Sequence, residues 1–156
     1  MKKMLLLALS VLFLVGCTTK GDPTPEGEFF TLEQIEGLPA DNSLDGKIIT
    51  LEGYPGLCKS MNLIKIKKRN KISIHSEANC QGTQLIMANL FFIDGKGTLI
   101  FGDEPRNQVI FADDKSITYI TDDYQKLPSD KFRFTGKLVF EEGGYYLNDV
   151  SIHVLK

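Results

Sequence analysis

The chain has no tryptophan, only two histidines and only three cysteines among its 156 residues. These scarcities narrow the chemistry. There is no G-x-S-x-G, H-E-x-x-H or C-x-x-C segment, no phosphate-cradling glycine loop and no Ser/His/Asp spacing of a familiar hydrolase. Charge of one sign is lacking too: 18 basic residues against 20 acidic give a net charge of −2, unlike a protein built to neutralise nucleic-acid phosphates. Long apolar runs are absent. The longest, residues 4–16, spans roughly 20 Å as a helix, short of the ~30 Å hydrocarbon core of a bilayer. What is present is an apolar share of 42%, too high for wholesale disorder, and a length that suits one globular domain with its own core.

The N-terminus carries the most specific signal. Lys2 and Lys3 precede the apolar run, as the n-region and h-region of a signal peptide over residues 1–16. The run closes on Leu14-Val15-Gly16-Cys17, which resembles the bacterial lipobox. That resemblance implies that the Cys17 thiol receives a diacylglycerol, that cleavage falls just before it, and that the new amino group is acylated. The competing reading is an apolar helix that merely ends in Gly-Cys. Two or three acyl chains, at about 0.8 kcal/mol per buried CH₂, hold a domain at a membrane without a spanning helix. Residues 17–28 then form the lipidated end and a flexible linker; their TTKGDPTPEGE stretch has two prolines, two glycines and no apolar cluster. Cleavage would leave 16 basic and 20 acidic residues, net −4. Residue 18 is Thr and not Asp, which in a diderm bacterium resembles the pattern sent to the outer rather than the inner membrane.

Export changes the meaning of the remaining cysteines. Cys58 and Cys80 form an even pair, 22 residues apart, and in an oxidising compartment a disulfide is the expected state. Its closure would constrain the unfolded chain by about 3 kcal/mol. Two free thiols, or a metal or redox site, are the alternatives. His75 lies five positions before Cys80, but neither C-x-x-C spacing nor a second nearby histidine strengthens a metal reading, so no metal and no cofactor are expected.

From residue 29 to 156 the pattern is that of one β-domain. The single helix signal is Thr31-Leu32-Glu33-Gln34, a capping box, with Leu32, Ile35 and Leu38 on one face and Pro39 ending it. Elsewhere the period is two. Strands are expected over residues 47–54, 62–68, 71–76, 84–93, 98–101, 108–112 and 116–120, with Asp113-Asp114-Lys115 as a hairpin turn. The clearest alternation places Phe132, Phe134, Gly136, Leu138 and Phe140 on one face. After the turn at Glu142-Gly143-Gly144, it places Tyr146, Asn148, Val150, Ile152 and Val154 together. Many short strands with turn residues between them indicate an all-β barrel or sandwich.

The stretch Lys131-Phe-Arg-Phe-Thr-Gly-Lys-Leu138, followed by Gly144-Tyr-Tyr-Leu-Asn-Asp-Val-Ser-Ile152, resembles the last two strands of an OB-fold. Gly46-Lys-Ile-Ile-Thr-Leu-Glu-Gly53 resembles its opening strand, with a glycine at the bend. Residues 121–129 then occupy the place of the short helix or loop that joins the third and fourth strands. The resemblance implies a small OB-like antiparallel barrel with extra strands or insertions and one short N-terminal helix, preceded by the signal peptide. It covers residues 44–156 and is similar to the small exported OB-fold lipoproteins of bacteria. The stretch 57–111 holds more strand-like sequence than a minimal barrel needs. No nucleotide-binding residues transfer.

No catalytic constellation emerges, and a noncatalytic role is expected. His153 alternates with Ile152 and Val154 and reads as solvent-facing; His75 reads as an exposed strand residue. The doublets Asp113-Asp114, Asp122-Asp123 and Glu141-Glu142 flank turns, where carboxylates are solvated and satisfy local amides. Asp94-Gly95-Lys96-Gly97 reads as a turn, lacking the further oxygen ligands of a calcium loop.

The basic segment Lys65, Lys67, Lys68, Arg69 and Lys71 contains no acid. As an edge it would block strand-to-strand pairing; as a surface it could meet anionic headgroups, an acidic partner or a single strand. Three functions follow. The first is a membrane-tethered noncatalytic binding module of the bacterial cell envelope, meeting lipid through acylated Cys17 and an envelope protein or glycan as partner. The second is an OB-type binder of an anionic oligosaccharide or single-stranded nucleic acid through residues 65–71. The third is a small exported hydrolase or metal-dependent enzyme. An exported location disfavours nucleic acid.

Overall fold

The computed structural model describes residues 26–58, 64–95 and 106–155. The expected signal peptide, Cys17, most of the linker and the strand expected over 98–101 lie outside the described residues. The capping box is present as read: Thr31 caps α1 (Leu32–Glu36), its side chain accepting from Gln34 N while the Gln34 side chain returns to the Thr31 amide. Gly37 ends the helix, and Ile35 is its buried residue. Just before α1, β1 (Glu28–Phe29) lies parallel to β2 (Ile48–Gly56).

Five strands close a barrel. β2 pairs with β3 (Lys68–His75), β3 with β4 (Gln84–Asp94), β4 with β9 (Gly144–Val154), β9 with β8 (Phe132–Glu141), and β8 returns to β2. All these pairings are antiparallel except β4 with β9. This OB-like ring excludes water from a core drawn from alternate residues. On β4 these are Ile86, Ala88, Leu90 and Phe92, each nearly inaccessible, while Leu85, Met87, Asn89 and Phe91 point outward and are half-buried. Glycine is required where β2 changes partner. Gly53 is the last residue paired with β8, Tyr54 is the first paired with β3, and a Cβ at 53 would stand 2.8 Å from the His75 carbonyl oxygen.

The excess strand material forms an extension off the edge of β4. β5 (Gln108–Phe111) runs parallel to the end of β4 and continues into β6 (Ile117–Ile120) and β7 (Lys126–Pro128). The hairpin turn at 113–115 is as expected, with Asp114 accepting from Ser116 N at 2.8 Å. The joining segment 121–129 forms a turn and then β7 rather than a helix. Thr121 Oγ1 accepts from Gln125 N at 2.9 Å, and that side-chain bond closes a turn where a helix would have begun. Tyr119 anchors the extension, buried with its ring centroid 5.5 Å from that of Phe132. Its burial pushes the phenol pKa up, away from ionisation.

Two expected strand readings change. Residues 64–67 are not strand; Lys67 adopts φ 59°, and Asn70 accepts from Lys65 N and donates to Lys65 O, both at 3.0 Å, closing a side-chain-held turn before β3. On β9 the inward face is not continuous. Lys137 pairs with Asn148 and Thr135 with Ser151, so Asp149 and Val150 together oppose Gly136. This bulge, with Asp149 at φ 49°, resets the alternation: Leu147 faces the core before it, and Val150 and Ile152 after it, leaving Tyr146 and Asn148 outside.

Candidate functional site

The outer face of β3 carries, by its period of two, Arg69, Lys71, Ser73 and His75. Opposite them on β4 lie Phe91 (against Arg69), Asn89 (against Lys71) and Met87 (against Ser73), and Tyr146 of β9 stands beside Met87. Two cavities open on this face, one toward each end of β3.

The first lies where β9 and β5 diverge from β4. The bulge at Asp149 turns β9 away, and Asn107 wedges the gap, accepting from Ile152 N at 2.8 Å and donating to Asp122 Oδ1 at 2.7 Å. The resulting cleft of about 260 Å³ is walled by Arg69, Asn89, Phe91, Arg106, Gln108 and Asp149. Its two guanidiniums are loosely engaged: Arg69 to Asp149 and Arg106 to Asp122, each at 3.8 Å. The buried Gln108 Oε1 has no hydrogen-bond partner among the described residues. Guanidinium, amide and carboxylate groups beside an aromatic ring suit a polar, hydroxyl- or amide-bearing ligand.

The basic segment divides by its contacts. Lys71 Nζ is 2.6 Å from Glu141 Oε2 and 3.8 Å from the Tyr146 ring centre, and Arg69 faces Asp149. Lys65, Lys67 and Lys68 are exposed and make no ion pair among the described residues. Because β3 is hydrogen-bonded to strands on both sides at its C-terminal end and to β4 along its length, edge protection applies at most to its first residues.

The second cavity, about 350 Å³, is walled by Leu57, Lys71, Ile72, Gln84 and Met87 and floored by the Cys58–Cys80 disulfide with Ser73 and His75. The disulfide forms as expected. His75 does not behave as expected: it is 7% exposed, with the Cys58 sulfur of the disulfide against its ring on the outer face of β3. Its Nε2 lies 2.9 Å from Ser73 Oγ and 3.3 Å from Cys58 Sγ, and its Nδ1 is buried without a partner. Ser73 Oγ donates to the Gly56 carbonyl at 3.0 Å. Since a serine has one proton, Oγ accepts from His75, which fixes the Nε2–H tautomer. This polarity is the reverse of a histidine base activating a serine nucleophile. The ligand-type atoms of Cys58, His75 and Cys80 lie within 4.8 Å of one another, but sulfurs joined to each other are not thiolate ligands.

The remaining candidates resolve locally. Asp123 accepts from Thr121 Oγ1 and Gln125 Nε2; the Thr121 hydroxyl is the main cause holding its carboxyl below the usual range. Asp122 holds Asn107, Glu141 holds Lys71, and His153 is half-buried on β9. The fork cleft is not legible in the sequence, since Arg69, Arg106 and Asp149 are far apart in the chain and the bulge that turns β9 away, Asp149 and Val150 against Gly136, leaves no mark in the hydrophobic spacing. No family model, no curated protein and no solved structure matches this chain.

Proposed function

We propose that this chain is a noncatalytic binding module of the bacterial cell envelope, tethered through acylated Cys17, which takes an extended polar chain across the outer face of β3 and β4. The observation that carries the reading is the fork cleft: two loosely held guanidiniums, an unpartnered buried amide oxygen and Phe91 converge on the face that OB-type barrels use for oligomeric ligands. The close pairing of Lys71 with Glu141 of β8, and the carboxylate of Asp149 on the cleft wall beside Arg69, favour an uncharged glycan or peptide over a polyanion. The tether rests on Lys2, Lys3, the apolar run and the Leu14–Cys17 box, and the location in the outer membrane of a diderm on Thr18.

Co-sedimentation of the full-length protein with purified cell-wall glycan, in 0.1 M and 0.5 M salt, tests it. Retention at both salts, weakened by about tenfold in Arg69→Ala and Arg106→Ala, is the expected result, because hydrogen bonds to neutral groups are little screened. The second reading, an anionic oligomer on the basic turn, is favoured by Lys65, Lys67 and Lys68 alone. It requires binding to a single-stranded oligonucleotide or acidic glycan that falls steeply with salt and with charge removal at those lysines. Binding of neither kind sinks both.

A further inference from the structure

The surroundings of the disulfide are lopsided. Two polar groups of β3 stand against Cys58 Sγ: the His75 Nε2–H, 3.3 Å away and shared with Ser73 Oγ, and Ser73 Oγ itself, 3.6 Å away with its proton on the Gly56 carbonyl. No donor reaches Cys80 Sγ among the described residues. The Nε2–H tautomer is enforced, because Ser73 spends its proton on Gly56 and the buried Nδ1 has no acceptor to which it could donate. A disulfide that only staples two loops needs neither donor. A sulfur that takes up negative charge is stabilised by the His75 N–H and by a Ser73 hydroxyl that turns from the Gly56 carbonyl toward it, since thiolates are stabilised by nearby hydrogen-bond donors.

The backbone around Cys80 is consistent with a bond that opens. Asn79 and Cys80 adopt φ 54° and 61°, two successive left-handed residues that both bear a Cβ, which L-residues adopt at a cost. Access is present as well: Cys58 is exposed, and the second cavity opens onto both sulfurs. Lys71 is the charged side chain on its wall, and it is held by Glu141.

We propose that Cys58–Cys80 is an exchangeable disulfide that reacts with a dithiol partner, in which Cys80 receives the incoming sulfur and Cys58 leaves as a thiolate held by Ser73 and His75. A partner thiolate attacks Cys80 Sγ; a new S–S bond forms there, the Cys58–Cys80 bond breaks, and its electron pair goes to Cys58. The partner's second thiol, as thiolate, then attacks its own first sulfur and releases Cys80. The partner loses two electrons and becomes a disulfide, while the protein gains two and becomes a dithiol. The two protons given up by the partner end on the cysteine thiols or in solvent.

The test uses the full-length protein in detergent micelles under anaerobic, native conditions with dithiothreitol as the dithiol. Alkylation of Cys58 and Cys80 is read separately by peptide mass. The expected result is reduction without denaturant. Cys58 should then be alkylated about tenfold faster than Cys80 near pH 6, where an ordinary thiol is mostly protonated. Ser73→Ala and His75→Phe should each erase most of that difference. Ser73→Ala, which removes one hydroxyl, keeps the test decisive if the histidine variant fails to fold. A bond that resists dithiothreitol until urea unfolds the chain, or equal alkylation of the two sulfurs at every pH, overturns the proposal.

Discussion

A side chain at position 56 would have to share space with two sulfur atoms. A Cβ there would stand 2.7 Å from Cys80 Sγ and 2.9 Å from Cys58 Sγ, so the absence of one lets β2 run directly beneath the disulfide. Gly56→Ala should cost about 1–3 kcal/mol through overpacking, with a lowered urea midpoint and a larger fraction of free thiol. Glu52 shows the electrostatic counterpart. It pairs across strands with Arg133 at 2.9 Å, with Lys131 nearby at 3.5 Å, and the Arg133 hydrogen bond holds its carboxyl below the usual glutamate value of 4.5. A carboxylate whose folded pKa is depressed contributes stability above its unfolded pKa and loses it as pH falls through the folded one. Glu52→Gln should therefore be less stable than the parent at pH 7, and urea titrations should show the gap closing below about pH 4.5. Added salt should narrow the same gap, because Arg133 is half-exposed. Residues of this kind mark the limit of a sequence reading. His75 does fall on the outward side of its strand, as alternation requires, yet it is buried. The lid over it is a bond between residues 58 and 80 that no local pattern locates over that ring.

At the scale of elements, alternation identifies β2, β4, β8 and β9 because a half-buried strand must repeat every second residue to keep its apolar set on one side. The short helix is equally legible, since Thr31 and Gln34 satisfy each other's amides within four residues. What periodicity misses is a change of phase. The bulge at Asp149 inverts the faces within β9, and the turn at Lys67 converts expected strand into loop. Both depend on one residue entering the left-handed region, which hydrophobic spacing does not encode. Gly136 is the other half of the bulge. A Cβ there would come within 3.0 Å of the Asn148 carbonyl oxygen and 3.3 Å of Val150 Cγ2, so the two-against-one pairing closes only over a glycine. Gly136→Val should accordingly destabilise the barrel by about 2 kcal/mol or more. Hydrogen exchange should show the loss first in amides of β8 and β9 flanking the bulge, and an unchanged exchange pattern there would remove the bulge from the explanation.

For the molecule as a whole, the closed ring explains why the candidate cleft was hidden. Arg69, Gln108 and Asp149 meet because β4 has two neighbours on one edge, β9 first and β5 beyond it, and strand order is not written in alternation. The proposed tether is the opposite case, since it rests on the sequence of residues 2–17 alone. An acyl chain contributes about 0.8 kcal/mol per CH₂, so one chain binds a membrane marginally and two or three bind it stably. If Cys17 carries that anchor, the parent protein grown with an alkyne-tagged fatty acid should take up label, lack residues 1–16 and partition into detergent. Cys17→Ser removes the only thiol that can accept the diacylglycerol, and should take up no label. Because cleavage in this class depends on that modification, the variant should also retain the N-terminal segment. It can then stay at the membrane through its apolar run of 13 residues (4–16), so acyl label and chain length, rather than location alone, decide the matter. A parent protein that takes no label while folding normally would leave the barrel and its cleft intact and remove the membrane from the account.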